Sequence, residues 1–188
     1  MSRLPTGTVT FLLTDIEGST ALWAKRPAEM EIAVAAHDAL IAGCVERHRG
    51  VLLRDRAEGD STFSLFGSAV DAVVAAAEIL TALAAGAPPI EQLRVRVGLH
   101  SGELETGHDG SRSPDASLCI RVRDAARGGQ ALLSGVTADL CREWLPSGAH
   151  LRPLGAFRLG DGAQTVSLLE LALPGIGGDT PSPRPAAA

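Results

Sequence analysis

The sequence predicts an α+β fold in which the elements follow the order β-α-β-β-α-β, with an αβ unit and a C-terminal hairpin after them. Three observations support this order. An apolar run, TVTFLL, occupies residues 8–13; two short apolar runs flank a polar turn at residues 57–61; and apolar residues alternate with arginine in LRVRVGLH at residues 93–100. This is the split-βαβ, or ferredoxin-like, arrangement, in which the first strand is central and the hairpin of the next two strands lies beside it.

The first strand ends on Asp15, and the residues after it predict a turn into a helix. We expect Ser19 and Thr20 to provide the helix N-cap, because their side-chain oxygens can accept hydrogen bonds from the first free amides. Pro27 restarts the helix at a first-turn position, where its missing N–H costs nothing, and Gly50 ends it.

Glycine and proline set the boundaries of the elements that follow. Residues 51–56 and 62–66 are predicted to be hairpin strands, because the polar segment AEGDS separates them. GS at residues 67–68 opens an alanine-rich helix, and PP at residues 88–89 ends it.

The remaining elements come from the same patterns. They are a strand at 93–100, a polar loop at 103–113, a helix at 116–127, a strand at 131–134, a helix at 136–144, and hairpin strands at 151–158 and 165–171. From residue 174 the sequence PGIGGDTPSPRPAAA has no periodicity. We therefore expect one domain over residues 1–173 and a disordered tail over residues 174–188.

Composition limits the classes of function. A formal charge of −5 argues against a general nucleic-acid binder, which needs a basic surface. Three cysteines without CxxC spacing favour a reducing, cytoplasmic location over a disulfide framework or a zinc site. The most apolar window, residues 69–85, contains Asp71 and Glu78, so we expect it to face a core. We expect neither a nucleic-acid partner nor a membrane partner.

Asp15 and Asp60 are the first candidates for a functional site. A carboxylate at a strand end, beside a helix N-terminus, offers a ligand for a hard cation next to free backbone amides. In the split-βαβ arrangement the turn that contains Asp60 approaches the end of the first strand, where two acids can bridge two divalent cations. Two other interpretations stay open here: Asp15 merely caps the helix, and Asp60 belongs to an ordinary polar turn. The predicted topology favours the cation pair.

Four segments in order resemble a class III nucleotidyl cyclase domain of the kind frequent in actinobacteria: FLLTDIEGST, EGDSTFSLFGSAVDAV, VRVGLHSGE and AARGGQALLS. The resemblance covers about residues 8–171, and four ordered segments are far more specific than any one of them. It implies an adenylate or guanylate cyclase that takes ATP or GTP. It also implies a homodimer, with active sites between two head-to-tail protomers.

The resemblance implies that one protomer supplies the ligands of two Mg²⁺ or Mn²⁺ ions. These ligands would be the carboxylates of Asp15 and Asp60 and the backbone carbonyl of Ile16. The next turn would hold the β- and γ-phosphates, and it consists of Gly18, Ser19 and Thr20. The ribose 3′-hydroxyl would attack the α-phosphate, and pyrophosphate would leave.

The half of the site that the partner protomer would supply departs from the family's pattern. Arg121 falls on the family's transition-state arginine, but Ser117 stands where the family has an asparagine that positions the ribose. Arg56 stands at the purine-reading lysine, and Asp109 is a loose candidate for the second base-reading residue. Gly160 stands where the last hairpin often has a basic residue.

These departures leave two interpretations of the sequence. Losing one transition-state donor costs roughly 10²–10³ in rate, so the first is a slow adenylyl cyclase that converts ATP to cyclic AMP and pyrophosphate. The second is a degenerate domain that binds nucleotide or metal, or dimerises, as a regulatory module without turnover. Of the other polar residues, His100 is expected to be structural, because no second histidine lies at ligand spacing. Arg94 and Arg96 alternate along a strand and are expected to form a solvated face.

Overall fold

Seven strands and five helices occur in the part of the chain that the structure, a computed structural model, describes: residues 4–53, 59–86, 89, 93–104, 113–159 and 165–176. In chain order they are β1 (Gly7–Ile16), α1 (Ser19–Lys25), α2 (Pro27–Arg47), β2 (Val51–Leu52), β3 (Thr62–Phe66), α3 (Ala69–Ala85), β4 (Val95–Leu104), α4 (Pro114–Ala125), β5 (Ala131–Ser134), α5 (Gly135–Cys141), β6 (His150–Arg158) and β7 (Thr165–Ala172).

The strands form one sheet in the order β2-β3-β1-β4-β5-β7-β6. β1 pairs antiparallel with β3 and with β4, and β5 pairs parallel with β4. The first four strands therefore have the ferredoxin-like order, with the first strand between the third and the fourth. β5 and the β6–β7 hairpin extend the sheet beyond β4. The predicted α+β fold and the central place of the first strand are confirmed.

Strand β1 is buried on both faces. Phe11 and Leu13 belong to a cluster with Cys119 of α4, whereas Leu12 and Ile16 belong to a cluster that includes α2 and α3. Because successive side chains of a strand point to opposite faces, residue 15 lies on the face that α4 covers. This alternation decides which helix can reach the carboxylate at the end of β1.

Glycines in β4 let α4 lie directly on the sheet. A Cβ placed on Gly98 would stand 2.5 Å from the backbone nitrogen of Arg123, closer than real Cβ atoms approach. A Cβ on Gly102 would stand 2.2 Å from the carboxyl carbon of Asp115. The close approach holds both ends of α4 at fixed points over β4.

Two helix starts differ from the sequence-based expectation. Ser19 and Thr20 are the first residues of α1 and do not cap it; the N-cap is Gly18, whose φ of +72° is a conformation that glycine adopts without strain. α4 begins at Pro114, two residues earlier than predicted. There Ser113 Oγ accepts a hydrogen bond from the amide three residues on, and proline suits the first helical position.

Several predicted segments fall wholly or partly outside the described residues. The structure describes only Val51–Leu52 as strand within the predicted strand 51–56, and residues 54–58 are outside the described ranges. β4 extends to Leu104, into the predicted loop 103–113, of which residues 105–112 are outside. The division into a domain over 1–173 and a disordered tail stays a prediction, since the description ends at residue 176. None of the described helices combines the length and the hydropathy needed to cross a membrane.

Candidate active site

The side chain of Asp15 is held by one residue of β4 and one residue of the turn that precedes β3. Arg96 lies opposite Asp15 in the antiparallel β1–β4 register. Its Nε donates to Asp15 Oδ2 at 3.1 Å, and its Nη2 donates to the same oxygen. On the other side, Ser61 Oγ donates to Asp15 Oδ1 at 2.8 Å. The Asp15 side chain is only 14% exposed, so the strand ends in a largely enclosed carboxylate with a donor on each oxygen.

Asp60 reaches the same corner from the turn before β3. Its Oδ2 accepts a hydrogen bond of 3.1 Å from the backbone amide of Ile16. The structure thus brings the turn acid to the residue that follows Asp15, as the split-βαβ topology led us to expect. The role of Asp15, Ile16 and Asp60 as metal ligands stays a prediction.

The donor set of this corner suits a hard divalent cation that arrives together with a phosphate. Mg²⁺ is commonly held by one or two carboxylates plus substrate phosphates, at short distances to oxygen. Asp15 and Asp60 supply two carboxylates, and Asp60 Oδ1 accepts no hydrogen bond from a described residue. No group of three or more His, Cys, Asp or Glu gathers within the described ranges. The residues therefore fit Mg²⁺ or Mn²⁺ with a polyphosphate, and they do not form a cage of protein ligands alone.

Ser61 and Arg123 are two further members of the corner. Arg123 Nη1 lies 3.5 Å from Ser61 Oγ, so α4 contacts the residue that donates to Asp15. Arg123 also pairs with Asp124, and its side chain is 14% exposed. Sequence reasoning missed Ser61 and Arg123, and it placed Arg96 on a solvated face, which is wrong: the Arg96 side chain is 19% exposed and bound to Asp15. The strand register sets Arg96 opposite Asp15, and the sequence pattern alone does not give that register.

The turn after β1 contains the predicted phosphate-binding residues. Gly18 has a positive φ, and Ser19 and Thr20 begin α1. A Cβ at Gly18 would have no atom within 4 Å, so only its backbone conformation requires glycine. The assignment of Gly18, Ser19 and Thr20 to the β- and γ-phosphates stays a prediction.

Arg121 and Ser117 lie four residues apart on α4, and they differ in whether their side-chain polar atoms have hydrogen-bond partners. Arg121 Nε is buried and has no hydrogen-bond partner in the described part of the chain. Ser117 Oγ donates to the carbonyl of Ser113 at 3.1 Å, so its hydroxyl is engaged within its own helix. No hydrogen bond or ion pair among the described residues joins Arg121 or Ser117 to either acid. Within the described ranges, the part of the predicted site on α4 is therefore not bonded to Asp15 or Asp60.

The predicted base-reading residues cannot be placed. Arg56 and Asp109, and Gly160 of the last hairpin, lie outside the described residues. Their assignments stay predictions from the resemblance.

His100 is part of a buried polar chain and not a free base. Its Nδ1 lies 2.8 Å from Ser134 Oγ, and its Nε2 lies 3.3 Å from Asp115 Oδ1. A carboxylate can only accept, so Nε2 carries the proton and Ser134 donates to Nδ1. Burial lowers the pKa of His100, against the smaller opposite effect of Asp115. His100 therefore links the first turns of α4 and α5 across β4, in agreement with the expected structural role.

Comparisons with known proteins identify the family to which this chain is similar. A family model described as the adenylate and guanylate cyclase catalytic domain matches residues 1–120. An uncharacterized protein of Mycobacterium tuberculosis is 38% identical over 178 residues, which cover 94% of this chain and 60% of that protein. A receptor-type adenylate cyclase of Trypanosoma congolense is 30% identical over 177 residues, covering 70% of this chain and 23% of that protein.

A solved structure agrees over nearly the full length. An adenylate cyclase of Trypanosoma brucei, solved in its monomeric state, has a TM-score of 0.75 and 26% identity, and the match covers 93% of this chain and 94% of that one. The curated relatives are longer proteins, of which this chain spans 60% or less. Because the family model matches more than half of the 188 residues, the chain belongs to the adenylate and guanylate cyclase catalytic domain family.

Proposed function

We propose that the chain is a nucleotidyl cyclase that converts ATP to cyclic AMP and pyrophosphate, at a reduced rate, as a head-to-tail homodimer. The observation that carries the proposal is the hydrogen bond from the Ile16 amide to Asp60, which sets the second acid beside Asp15. Two carboxylates at one corner, followed by a glycine turn, suit a divalent cation with a triphosphate.

In this proposal the first protomer binds and orients the triphosphate. Divalent ions, when bound at the corner, favour deprotonation of the 3′-hydroxyl and neutralise the phosphates. Asp15, Asp60 and the carbonyl of Ile16 hold these ions. The backbone of the turn at residues 18–20 contacts the β- and γ-phosphates. Together these groups keep the attacking and leaving oxygens in line.

The second protomer contributes Arg121. A guanidinium without a protein partner is available to an anionic ligand, and the buried Nε of Arg121 has none among the described residues. It would stabilise the charge that develops on the α-phosphate. Because no hydrogen bond or ion pair joins Arg121 to an acid among the described residues, a site assembled from two protomers is the simpler arrangement.

The reduced rate follows from Ser117 and Arg56. Serine lacks the reach of the family's asparagine, and its hydroxyl already donates to Ser113. Removing one such donor costs roughly 10²–10³ in rate. Arg56 stands in place of a lysine at the base-reading position. Its guanidinium is larger than an ammonium group and prefers an acceptor that takes two hydrogen bonds. If the two losses add, they remove about 4–6 kcal/mol of transition-state stabilisation.

A second candidate function is a regulatory module that binds nucleotide and metal without turnover. The engagement of Ser117 within its own helix favours it, because the hydroxyl is not free to position a ribose. Such a module would show a rise in melting temperature with ATP and Mn²⁺, since a ligand that binds the native state stabilises it, but it would form no product.

Product analysis by mass spectrometry separates the two functions. The purified protein is incubated at high concentration with Mn²⁺ and either ATP or GTP, and Asp60→Ala is the control. Cyclic AMP above the control supports the cyclase; cyclic GTP alone would overturn the choice of ATP. No cyclic product, together with a nucleotide-dependent rise in melting temperature, would leave the regulatory module in its place.

A further inference from the structure

The Asp15 carboxylate already has a cationic partner within the chain. Two nitrogens of the Arg96 guanidinium donate to Asp15 Oδ2, while Ser61 Oγ donates to Oδ1. Arg96 lies in β4 and Ser61 directly precedes β3, and both strands pair with β1, so the sheet fixes the position of both partners. Neither carboxylate oxygen is without a donor.

The negative charge of Asp15 is compensated by Arg96 of the same chain. Arg96 pairs with Asp15, whereas Arg123 contacts Ser61 and pairs with Asp124. The Asp15 and Arg96 side chains are 14% and 19% exposed, so solvent screens this pair less than a surface pair. A divalent ion that binds Asp15 Oδ2 meets an oxygen that a guanidinium already occupies.

We propose that Arg96 is a resident counter-ion of Asp15 that competes with the divalent cation, so that loading the corner requires Arg96 to leave Oδ2. The proposal rests on the proposed function, since it takes Asp15 as a metal ligand. Arg96 then has two opposite effects: it stabilises the protein without metal, and it weakens the binding of the metal. A residue with a purely structural role would have only the first effect.

The test uses Arg96→Gln, which removes the charge and keeps a polar side chain. Arg94→Gln is the matched control, because it removes a nearby positive charge that does not bond to Asp15: Arg94 lies two residues before Arg96, donates to the Gly128 carbonyl and pairs with Glu17 at 3.9 Å. Arg96→Lys keeps the charge without the two-nitrogen fork, and it serves as the milder variant should Arg96→Gln not fold.

Two quantities are measured on each variant: the melting temperature in EDTA, and the Kd of Mn²⁺ from the electron paramagnetic resonance signal of the free ion. For Arg96→Gln we expect a melting temperature lower by about 3 °C in EDTA. We expect its Kd for Mn²⁺ to be about fivefold lower than that of the wild type, as for the loss of one competing ion pair. Arg96→Lys should change both quantities in the same directions by less, and Arg94→Gln should leave the Kd unchanged.

The outcomes separate the two proposals. If the wild type binds Mn²⁺ and neither Arg96→Gln nor Arg96→Lys binds it more tightly, the competition is overturned and the metal corner stands. If binding appears only when Arg96 is replaced, the competition is supported in its strongest form. If no variant binds Mn²⁺, the metal corner itself is wrong and the competition falls with it.

Discussion

The backbone amide of Ile16 donates to the carboxylate of Asp60 at 3.1 Å, across 44 positions of sequence. The bond forms only when β1 and β3 are paired, so the folded sheet and not the local sequence creates this corner. Two acids brought this close repel each other unless cations lie nearby. In the structure Arg96 supplies one positive charge to Asp15, and we propose that divalent ions take that place when nucleotide binds.

Restoring the family's asparagine should raise the rate. In Ser117→Asn the amide can reach a ribose, whereas the serine hydroxyl donates to Ser113 in its own helix. We expect the rate of cyclic AMP formation to rise by up to roughly 10²-fold, as for one recovered transition-state donor. Initial rates with Mn²⁺ and ATP check this, with Ser117→Ala as the control that should not gain. A rate equal to that of wild type would show that position 117 does not limit turnover.

Mixing two inactive variants tests the site between protomers. Asp60→Ala removes one half of the proposed site and Arg121→Ala removes the other half. Random pairing of the two chains makes half of the dimers mixed, each with one intact site, so we expect about a quarter of the wild-type activity to return. The measurement is the cyclic AMP rate of the equimolar mixture against each variant alone. No recovery from two folded variants would place both residues in one chain's site.

The burial of His100 makes the stability depend on pH. Burial lowers its pKa below 6.5, whereas in the unfolded chain it stays near 6.5, so below that pH the unfolded chain binds more protons. The free energy of unfolding should therefore fall as the pH drops from 6.5 through the lowered pKa. The slope for one proton is at most about 1.4 kcal/mol per pH unit.

Urea unfolding between about pH 7.5 and pH 5 measures this slope. His100→Gln should flatten it, while the control His150→Gln, at an exposed position of β6, should keep it. Equal slopes in wild type and His100→Gln would assign the pH dependence to other groups.

The glycine contact between β4 and α4 should be intolerant of a methyl group. In Gly98→Ala the new Cβ would meet the Arg123 backbone, which cannot turn away as a flexible side chain can. We expect a loss of about 1–3 kcal/mol in the free energy of unfolding, as for overpacking of a core. Denaturant unfolding checks this.

Gly43→Ala is the matched control for that substitution. Gly43 lies inside α2, and its new Cβ would stand 3.2 Å from the mobile end of Arg47. Alanine favours a helix interior over glycine by up to about 1 kcal/mol, so this variant should be neutral or more stable. A Gly98→Ala protein as stable as Gly43→Ala would mean that α4 does not rest on β4 as described.

Local pattern was enough to predict the strands and the central place of the first one. The run TVTFLL predicts β1, the alternation in LRVRVGLH predicts β4, and the order of elements predicts a central first strand. The proximity of Asp60 to the end of β1, where Asp15 lies, could also be predicted, because the topology alone brings the hairpin turn to that end. These inferences depend on residue types and their sequence, not on side-chain geometry.

Contacts set by strand register and backbone conformation could not be predicted in the same way. Arg96 bonds to Asp15 because the β1–β4 register sets them opposite, and without that register its alternation with apolar residues resembles a solvated face. Ser19 and Thr20 are residue types that commonly cap helices, but the N-cap of α1 is Gly18, which has a left-handed backbone conformation. The roles that we propose for Arg121 and Ser117 depend on a second protomer, so contacts within one chain do not reveal them.

The most direct measurement compares cyclic AMP formation by wild type and Asp60→Asn with Mn²⁺ and ATP. Asparagine keeps an oxygen that can accept from the Ile16 amide, so the fold is retained, but it loses the charge that holds a cation. We expect product from the wild type and roughly 100-fold less from Asp60→Asn, with similar melting temperatures in EDTA. Equal rates from the two proteins would contradict a metal corner made by Asp15 and Asp60.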